Sequence, residues 1–361
     1  MELMEGSEAI AGALVAAGVR FFAGYPMTPF TEVLEHMARR LPAVGGVCMN
    51  AESELEAVGM AWGAAATGTI AATGSTGQGL SLMQESLSEI TLARLPLIVI
   101  NMARAQGDYW QSTRGGGHGD YRHLVLAPAD VTEAVALAAD AVDMTLRWRN
   151  PVQLFGDYFL AHTYQSVQLP PIRELPPRPE WALTGESGGT GHAKLVSSLG
   201  STKQREGVGY DLAEHYAGGV ANTEEMLAGE PPRIETLWCD DADVVVVAFG
   251  TPARFIRDAV RKLRESGERV GFARPITLVP FPSKAIADAA EGCRGVAVYE
   301  NNQGQMVDDV RLAVLGRAPV TFIGGLSMDG SGFGIAPDLE VGLLADRIAK
   351  VLAASAEKGA A

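Results

Sequence analysis

The sequence predicts an α/β protein built from two parallel-sheet domains, and three observations lead to this prediction. The chain has 361 residues, which exceeds the usual size of one hydrophobic core, so two domains are expected. Hydrophobic residues make up 47% of it and charged residues 20%, a composition typical of well-packed globular proteins. Short apolar, β-branched runs alternate with segments of helical periodicity, which indicates parallel sheets with helices on both faces.

The first alternation covers residues 1–162 and predicts the first α/β domain. Its apolar, β-branched runs favour strands, and apolar residues three or four positions apart favour the helices between them. The predicted strands are 19–25, 45–51, 69–75, 95–103, 123–128 and 151–157. The predicted helices are 5–17, 30–40, 53–67, 79–92 and 131–147.

The periodicity fades from residue 163 to residue 240, so this part is predicted to be a connecting segment. It contains the Pro-rich run LPPIRELPPRP and the Gly-rich run GESGGTGHA, followed by one polar helix around 204–228. A second alternation then predicts a smaller parallel α/β domain over 241–354. Its predicted strands are 244–250, 269–276, 295–301 and 320–325.

Charge and cysteine content exclude several classes of function. A formal net charge of −14 argues against nucleic acid as a partner, because that binding depends on clustered Lys and Arg. The three cysteines are far apart and form no C-x-x-C pair, so neither a zinc or iron–sulfur site nor a disulfide framework is expected. No apolar run approaches 18 residues and no signal peptide is visible, which predicts a soluble, cytoplasmic protein without a membrane partner.

Ligands of open parallel sheets bind where strands end and helices begin, and Glu54 is the most informative polar residue at such an edge. On the predicted helix it shares a face with Val58, Ala61 and Ala65, so its carboxylate should be buried. A buried carboxylate needs a hydrogen-bonding partner. Two interpretations remain open, namely a proton donor or acceptor, or a structural group that caps a helix or pairs with an arginine.

Three further segments end at the same predicted edge. Thr28 and Pro29 predict the N-cap and first turn of the next helix, or a helix start that faces an anionic substrate group. The segment Thr73–Gly79 could hold an anion, although it matches no complete phosphate-binding motif. Arg104 follows a buried strand, where it could hold a carboxylate or pair with Glu54 or Asp157. The aperiodic stretch after it predicts a lid or subunit contact, or loose surface structure.

Several motifs together resemble one known family. The segments YPMTP, AESELEAVGMAWGAAATG, GLSLMQE, INMAR and GGGHGDYRHLVLAP resemble the alpha-type subunit of 2-oxoacid:ferredoxin oxidoreductases, most closely the branched-chain (3-methyl-2-oxobutanoate) type. The segments DADVVVVAFGT, ARPITLVPFP and YENNQGQMVDDVRLAV are similar to the same family's transketolase C-terminal-like domain. The resemblance follows the same order along most of the chain.

The resemblance implies a thiamine-diphosphate-binding (pyrimidine) fold followed by a transketolase C-terminal-like domain. It implies oxidative decarboxylation of a 2-oxoacid to its acyl-CoA, with coenzyme A as co-substrate and a ferredoxin or ferredoxin-like subunit as electron acceptor. The thiamine diphosphate is then shared with a beta-type subunit. That subunit contains the binding site for the diphosphate group and Mg²⁺, together with a 4Fe–4S cluster. The chain agrees with this division, since it contains neither the G-D-G magnesium motif nor cluster cysteines.

Position by position, the resemblance implies a role for three residues. Glu54 falls on the catalytic glutamate that binds the aminopyrimidine ring, and Thr28 and Arg104 fall on residues that contact the 2-oxoacid. Tyr25, Ser75 and Gly77 are the further expected cofactor contacts, and no metal ligand is expected in this chain.

The sequence departs from the family pattern at two places. Gln78 stands where a proline is usual, and only three residues separate Arg104 from Asp108, where the branched-chain type has a longer loop. The short loop leaves a second class open, a structural or regulatory subunit without catalysis. A third alternative is a non-oxidative thiamine-dependent decarboxylase or transketolase-like enzyme.

Overall fold

A seven-stranded sheet and a five-stranded sheet, each with helices packed against it, organise the chain. The computed structural model describes residues 1–184, 212–326 and 339–359. In chain order the strands are β1 (Glu2–Glu5), β2 (Phe21–Gly24), β3 (Val47–Asn50), β4 (Ala71–Ser75), β5 (Leu97–Ala103), β6 (Leu124–Leu126), β7 (Pro151–Asp157), β8 (Tyr164–Val167), β9 (Ile234–Leu237), β10 (Val244–Ala248), β11 (Val270–Pro275), β12 (Thr277–Val279), β13 (Gly295–Tyr299) and β14 (Val320–Phe322).

The helices alternate with these strands as the periodicity predicts. They are α1 (Gly6–Ala16), α2 (Thr31–Arg40), α3 (Glu54–Ala66), α4 (Gly77–Leu92), α5 (Tyr109–Thr113), α6 (Val131–Trp148), α7 (Tyr158–His162), α8 (Leu212–Gly229), α9 (Pro252–Glu265), α10 (Ser283–Ala289), α11 (Met306–Val314) and α12 (Val341–Gly359).

The seven-stranded sheet has the order β12-β6-β7-β5-β4-β2-β3. Its six strands from the first domain are mutually parallel, which confirms the predicted fold class. Every residue of β5 and of β7 is buried, as expected for apolar, β-branched strands covered on both faces. Residues of the edge strand β3 are mostly exposed.

Helices cover both faces of this sheet. On one face Ile10 of α1 and Val135 of α6 belong to the same buried cluster. On the other face Val58 of α3 packs with Leu87 of α4. The Asp130 side chain accepts a 2.9 Å hydrogen bond from the Glu133 backbone N–H and thereby begins α6.

Four short strands were not predicted from the sequence. β1 and β8 form an antiparallel pair, and β9 runs antiparallel to β11. β12 belongs to the second half of the chain but joins the first sheet, where it pairs antiparallel with β6. Each has three or four residues, too few for an alternating pattern to stand out.

The five-stranded sheet has the order β14-β13-β10-β11-β9. Its four predicted strands are present and mutually parallel. The connecting segment contains β8, β9 and α8, whereas the run GESGGTGHA and residues 204–211 of the predicted polar helix lie outside the described residues. The boundaries at 162 and 240 remain our proposal for the domain division.

The two halves of the chain share a hydrophobic core and an ion-pair cluster. Val125 and Phe155 of the first sheet belong to one buried cluster with Val245 and Val298 of the second. Arg274 on β11 donates hydrogen bonds of 2.8 and 2.9 Å to Glu133 on α6. These contacts hold the second sheet beside the first. Among the described residues, none of the helices has the length and apolar content needed to cross a bilayer.

Candidate active site

The carboxyl ends of β2, β4 and β5 lie side by side and bring the predicted residues to one edge of the sheet. Gly24 of β2 is level with Gly74 of β4, and Ser75 of β4 is level with Asn101 of β5. The segments that follow these strands therefore meet at the place where open parallel sheets bind ligands.

Glu54 lies at this edge as the first residue of α3 and is only 2% exposed. Its burial was predicted from the helical face that it shares with Val58, and the structure confirms it. The Ser75 hydroxyl donates a 2.9 Å hydrogen bond to Glu54 Oε1. In the part of the chain that the structure describes, we find no donor to Oε2. One carboxylate oxygen is thus held by Ser75, and the other has no donor among the described residues.

Gly79 makes this arrangement possible, and the sequence reasoning did not single it out. A Cβ at residue 79 would lie 2.1 Å from Ser75 Oγ and 2.3 Å from Glu54 Oε1. Both distances are far below van der Waals contact, so any larger side chain would separate the pair. The available signal was a glycine in the first turn of a helix, where glycine is otherwise unfavourable.

Arg104 and Thr28 are also brought together. Arg104 Nε donates a 3.2 Å hydrogen bond to the Thr28 carbonyl oxygen, and Arg104 Nη1 donates one of 3.2 Å to Gln78 Oε1. Gln78, the departure from the family pattern, is therefore a contact of the arginine. Of the two carboxylates considered as partners of Arg104, Asp157 accepts a hydrogen bond from the Leu160 N–H and Glu54 accepts one from Ser75.

The prediction that Thr28 caps the next helix was wrong. Helix α2 begins at Thr31 with Phe30 at its N-cap position. Thr28 lies instead within a turn that precedes the helix and is closed by a 2.6 Å hydrogen bond from the Phe30 N–H to the Met27 carbonyl oxygen. Thr28 consequently lies exposed in the segment between β2 and α2.

A cleft of about 680 Å³ opens beside Arg104 and Gln78, between the first sheet and the second half of the chain. Thr76, Gln78, Arg104 and Asp108 line it on one side, and polar residues of 301–305 line it on the other. The Thr76 hydroxyl is buried and has no partner among the described residues. An unpaired buried hydroxyl is costly, so a polar ligand group at this place would stabilise the site.

Asp108 is the acidic group of this cleft, and the sequence reasoning did not single it out as a site residue. Its carboxylate accepts hydrogen bonds from Asn101 Nδ2 at 3.3 Å and Gln111 Nε2 at 3.4 Å. Burial raises the pKa of Asp108 to about 6, although these hydrogen bonds and the charge of Arg104 oppose the rise. The carboxylate therefore changes charge in the pH range in which most enzymes work.

The two remaining predicted contacts, Gly77 and Tyr25, lie at the same edge. Gly77 is the first residue of α4, and a Cβ there would lie 2.6 Å from Asp108 Oδ1. Tyr25 follows β2 directly and is half-buried. Among the residues that the structure describes, no hydrogen bond joins Tyr25 to the other five.

The stretch after Arg104 contacts the second half of the chain. Gln106–Asp108 form a short 3₁₀ turn that leads into α5. The Tyr109 hydroxyl donates a 2.7 Å hydrogen bond to Asp309, and Arg114 forms a 2.9 Å ion pair with the same carboxylate. Contact within the chain therefore orders the first part of this stretch.

Two family models match the chain. Residues 12–181 match the thiamine-diphosphate-binding domain of pyruvate flavodoxin/ferredoxin oxidoreductases, and residues 242–334 match core domain II of pyruvate:ferredoxin oxidoreductase. The ketoisovalerate oxidoreductase subunit VorB of Methanothermobacter thermautotrophicus is 37% identical over 324 residues, which are 86% of this chain and 89% of that protein. The chain belongs to the 2-oxoacid:ferredoxin oxidoreductase family.

Other relatives and solved structures agree with this membership. The 2-oxoglutarate synthase subunit KorA of Methanothermobacter marburgensis is 31% identical, covering 89% of this chain and 93% of that protein. The 2-oxoglutarate:ferredoxin oxidoreductase of Magnetococcus marinus has the same fold, with a TM-score of 0.78 at 23% identity over 97% of this chain and 65% of the longer chain. A split-gene transketolase is more distant, with a TM-score of 0.62 at 15% identity. The relatives in this oxidoreductase family are named as subunits, so the family works as multi-subunit enzymes.

The residues of this site fit the aminopyrimidine end of thiamine diphosphate. Glu54 offers a buried carboxylate oxygen that has no donor among the described residues, and the absence of a side chain at Gly79 lets Ser75 hold the other oxygen. Carboxylates of this kind suit a protonated ring nitrogen. No group of three or more His, Cys, Asp or Glu residues within 1–184, 212–326 and 339–359 is placed to hold a metal ion.

Proposed function

We propose that this chain is the alpha-type subunit of a thiamine-diphosphate-dependent 2-oxoacid:ferredoxin oxidoreductase. The assembled enzyme decarboxylates a 2-oxoacid oxidatively to its acyl-CoA and reduces ferredoxin or a ferredoxin-like subunit. Coenzyme A is the co-substrate. A beta-type partner supplies the diphosphate and Mg²⁺ site and the 4Fe–4S cluster. The cytoplasmic location remains a prediction from the sequence.

One observation carries this proposal, namely that the buried Glu54–Ser75 pair and the Arg104–Gln78 pair lie at one edge of a parallel sheet. The first pair offers an anionic acceptor in a desolvated place. The second offers a permanent cation beside an open cleft. A cofactor ring and a carboxylate substrate need these two kinds of group close together.

Each residue then has a task that its position supports. Glu54 Oε2 accepts a hydrogen bond from a ring nitrogen of the aminopyrimidine and stabilises the proton on it. Ser75 keeps the carboxylate in this orientation through Oε1. Tyr25, which follows β2, and Gly77, the first residue of α4, would contact the cofactor. Thiamine diphosphate held in this way would supply a nucleophilic ring carbon for reaction with the keto group of the substrate.

Arg104 and Thr28 act on the substrate. The guanidinium of Arg104 reaches the cleft while two of its nitrogens bond to Thr28 and Gln78. An arginine held in this way is well oriented for a 2-oxoacid carboxylate, because a charge-assisted hydrogen bond depends on direction as well as charge. Thr28 is exposed beside it, so its hydroxyl can hydrogen-bond to the same substrate.

An exposed apolar surface next to Glu54 supports the shared site. We call it the α3–α4 surface; it contains Leu55, Met60 and Leu82, which are 53%, 37% and 54% exposed. A Cβ on Gly59 or Gly63 of α3 would meet no other atom within 4 Å. Neighbouring apolar side chains that remain exposed are typical of protein interfaces. We propose that the beta-type subunit covers this surface and completes the cofactor site.

Cofactor binding with and without the partner tests the shared site. The isolated chain should bind thiamine diphosphate weakly, because Glu54 contacts only one end of it. Co-expression with the partner subunit should give a brown complex that contains thiamine diphosphate and iron. Stoichiometric, tight binding by the isolated chain would contradict the proposal, and a partner without iron–sulfur clusters would favour a non-oxidative thiamine enzyme.

Substitution of Glu54 separates a catalytic subunit from a structural one. In the assembled complex, Glu54→Gln should abolish most 2-oxoacid-dependent reduction of a viologen, with 3-methyl-2-oxobutanoate, pyruvate and 2-oxoglutarate each tested. Glu52→Gln is the matched control, because Glu52 lies two residues earlier and is exposed. Unchanged activity in Glu54→Gln would support the structural or regulatory alternative.

A further inference from the structure

We propose that Gln106 is a positioning residue, through which the second half of the chain holds Arg104 in the orientation that binds the 2-oxoacid carboxylate. This inference rests on the proposed function of Arg104. It assigns a task in the reaction to the second α/β domain, which supplies none of the six predicted site residues.

Gln106 follows Arg104 by two residues and is 1% exposed. Its side-chain Nε2 donates a 2.8 Å hydrogen bond to the Phe249 carbonyl oxygen, and its Oε1 accepts one of 2.9 Å from the Asn301 N–H. Its backbone N–H donates to the Asn301 carbonyl oxygen at 3.0 Å. Its carbonyl oxygen accepts from Asn302 Nδ2 at 2.9 Å. Both the side chain and the backbone of Gln106 are thus bonded to the second domain.

The next residues of the loop are held from the same side. Gln305 Nε2 donates a 2.8 Å hydrogen bond to the Gly107 carbonyl oxygen, and Gln305 Oε1 accepts one of 2.9 Å from the Trp110 N–H. Asp108 lies between these two anchor points. The backbone from residue 106 to residue 110 therefore follows the second domain closely, and this part of the chain lines the cleft.

Glu300 organises the segment that makes these contacts. Its buried carboxylate accepts hydrogen bonds from the N–H groups of Gln305, Met306 and Val307 at the start of α11. It also accepts a 3.0 Å hydrogen bond from Asn302 Nδ2, the group that bonds to Gln106. This network holds Asn302 and Gln305 in the positions from which they contact the loop.

The connection to Arg104 is short. Ala103 ends β5, so Arg104 lies between a strand held in the first sheet and a residue held by the second domain. With so few residues between these fixed points, the direction of the Arg104 side chain depends on both. An arginine turned away from the cleft loses its charge-assisted hydrogen bond to the substrate carboxylate, so loss of the Gln106 contacts should weaken substrate binding.

The test uses the assembled, cofactor-loaded complex with 3-methyl-2-oxobutanoate, pyruvate or 2-oxoglutarate, whichever it oxidises fastest. Gln106→Ala should raise KM by roughly 10- to 100-fold, the loss expected when a hydrogen bond to a charged group is weakened, with a smaller change in kcat and normal thiamine diphosphate content. Gln305 lies on the partly exposed rim of the cleft, and Gln305→Ala should also raise KM. This second variant keeps the test valid if the Gln106→Ala complex does not assemble. Gln165→Ala is the control, since it removes a glutamine hydrogen bond to the Val131 N–H at a place that does not line the cleft and should leave KM nearly unchanged.

A double substitution decides whether Gln106 acts through Arg104. In an Arg104→Ala background, Gln106→Ala should raise KM no further, because the group that it positions is gone. Additive effects of the two substitutions, or unchanged KM in both Gln106→Ala and Gln305→Ala, would overturn the inference. If Arg104→Ala itself leaves KM unchanged, the substrate role of Arg104 is wrong. That result would contradict the proposed function, and it can be distinguished from a failure of the Gln106 inference alone.

Discussion

Ser75 and Glu54 lie 21 positions apart in the sequence and share a buried hydrogen bond of 2.9 Å. The bond joins the last residue of β4 to the first residue of α3. It fixes one oxygen of the carboxylate that we propose to hold the cofactor ring.

Removal of this bond should weaken cofactor binding while the fold is retained. In Ser75→Ala the Glu54 carboxylate loses its donor and becomes free to rotate, at a cost of about 1.4 kcal/mol, equal to roughly 10-fold in affinity. The measurement is the dissociation constant of thiamine diphosphate in the assembled complex. Ser75→Cys should restore little, because a thiol is a weak donor. Unchanged affinity in Ser75→Ala would show that Glu54 is oriented by other contacts.

Gly79→Ala should disrupt the same pair by steric conflict. The added methyl group would lie 2.1 Å from Ser75 Oγ and 2.3 Å from Glu54 Oε1, so the two residues must move apart. Cofactor affinity and the melting temperature of the isolated chain should both fall, although alanine normally favours a helix. Gly63→Ala on α3 is the matched control, because its methyl group meets no other atom within 4 Å. The isolated Gly63→Ala chain should melt at the same temperature as the natural chain or at a higher one.

Arg104→Ala should lower kcat/KM for any 2-oxoacid substrate. A lost charge-assisted hydrogen bond to the carboxylate corresponds to about 2–4 kcal/mol, or roughly 30- to 1,000-fold. Arg104→Lys should recover only part, because an ammonium group cannot reproduce the planar guanidinium fork. Thiamine diphosphate content should remain normal in both variants. Loss of cofactor or of assembly would instead identify Arg104 as a structural residue.

The charge of Asp108 should make substrate binding depend on pH. Burial raises the pKa of Asp108 to about 6, so its carboxylate is mostly ionised at pH 7.5 and mostly neutral at pH 5. The ionised form lies in the same cleft as Arg104 and repels a substrate carboxylate. KM should therefore fall as the pH falls through 6, by roughly 3- to 10-fold. Asp108→Asn should give a low KM without this dependence, and a higher KM at pH 7.5 would contradict the repulsion.

His123 should make the fold sensitive to acid. Burial lowers the pKa of His123 to about 4 from its usual value of 6.5, and its Nε2 lies 3.3 Å from Gln153 Oε1. Between these two values the unfolded chain binds the proton and the folded chain does not, so stability is lost as the pH falls from 6.5 towards 4. At pH 5 the loss is about 2 kcal/mol.

Melting curves between pH 7.5 and 4.5 measure this effect. His123→Asn removes the titrating group, so its melting temperature should fall less steeply than that of the natural chain over this range. His36→Asn is a suitable comparison, because burial also lowers the pKa of that half-exposed histidine. Equal slopes in the natural chain and His123→Asn would show that the folded chain protonates His123 without loss of stability.

Part of the candidate site could be predicted from local patterns. The helical face shared by Glu54 and Val58 predicted a buried carboxylate, and the apolar run before Arg104 placed it at the end of a strand. The capping role of Thr28 was wrong, because the turn from Met27 to Phe30 delays the start of α2. Local patterns indicate that a helix begins nearby but do not determine which residue begins it.

Local patterns in the sequence were enough to predict the two α/β sheets, the burial of Glu54 and the family of the chain. These properties follow from periodicity and from motifs that lie within a few residues of each other. The contact of Gly79 with Glu54 and Ser75, and the hydrogen bond between Gln106 and Asn301, 195 positions later in the chain, became visible only in the folded chain. The physical reason is that spacing along the chain reports which face of an element is buried, whereas contacts between distant segments depend on how whole elements pack.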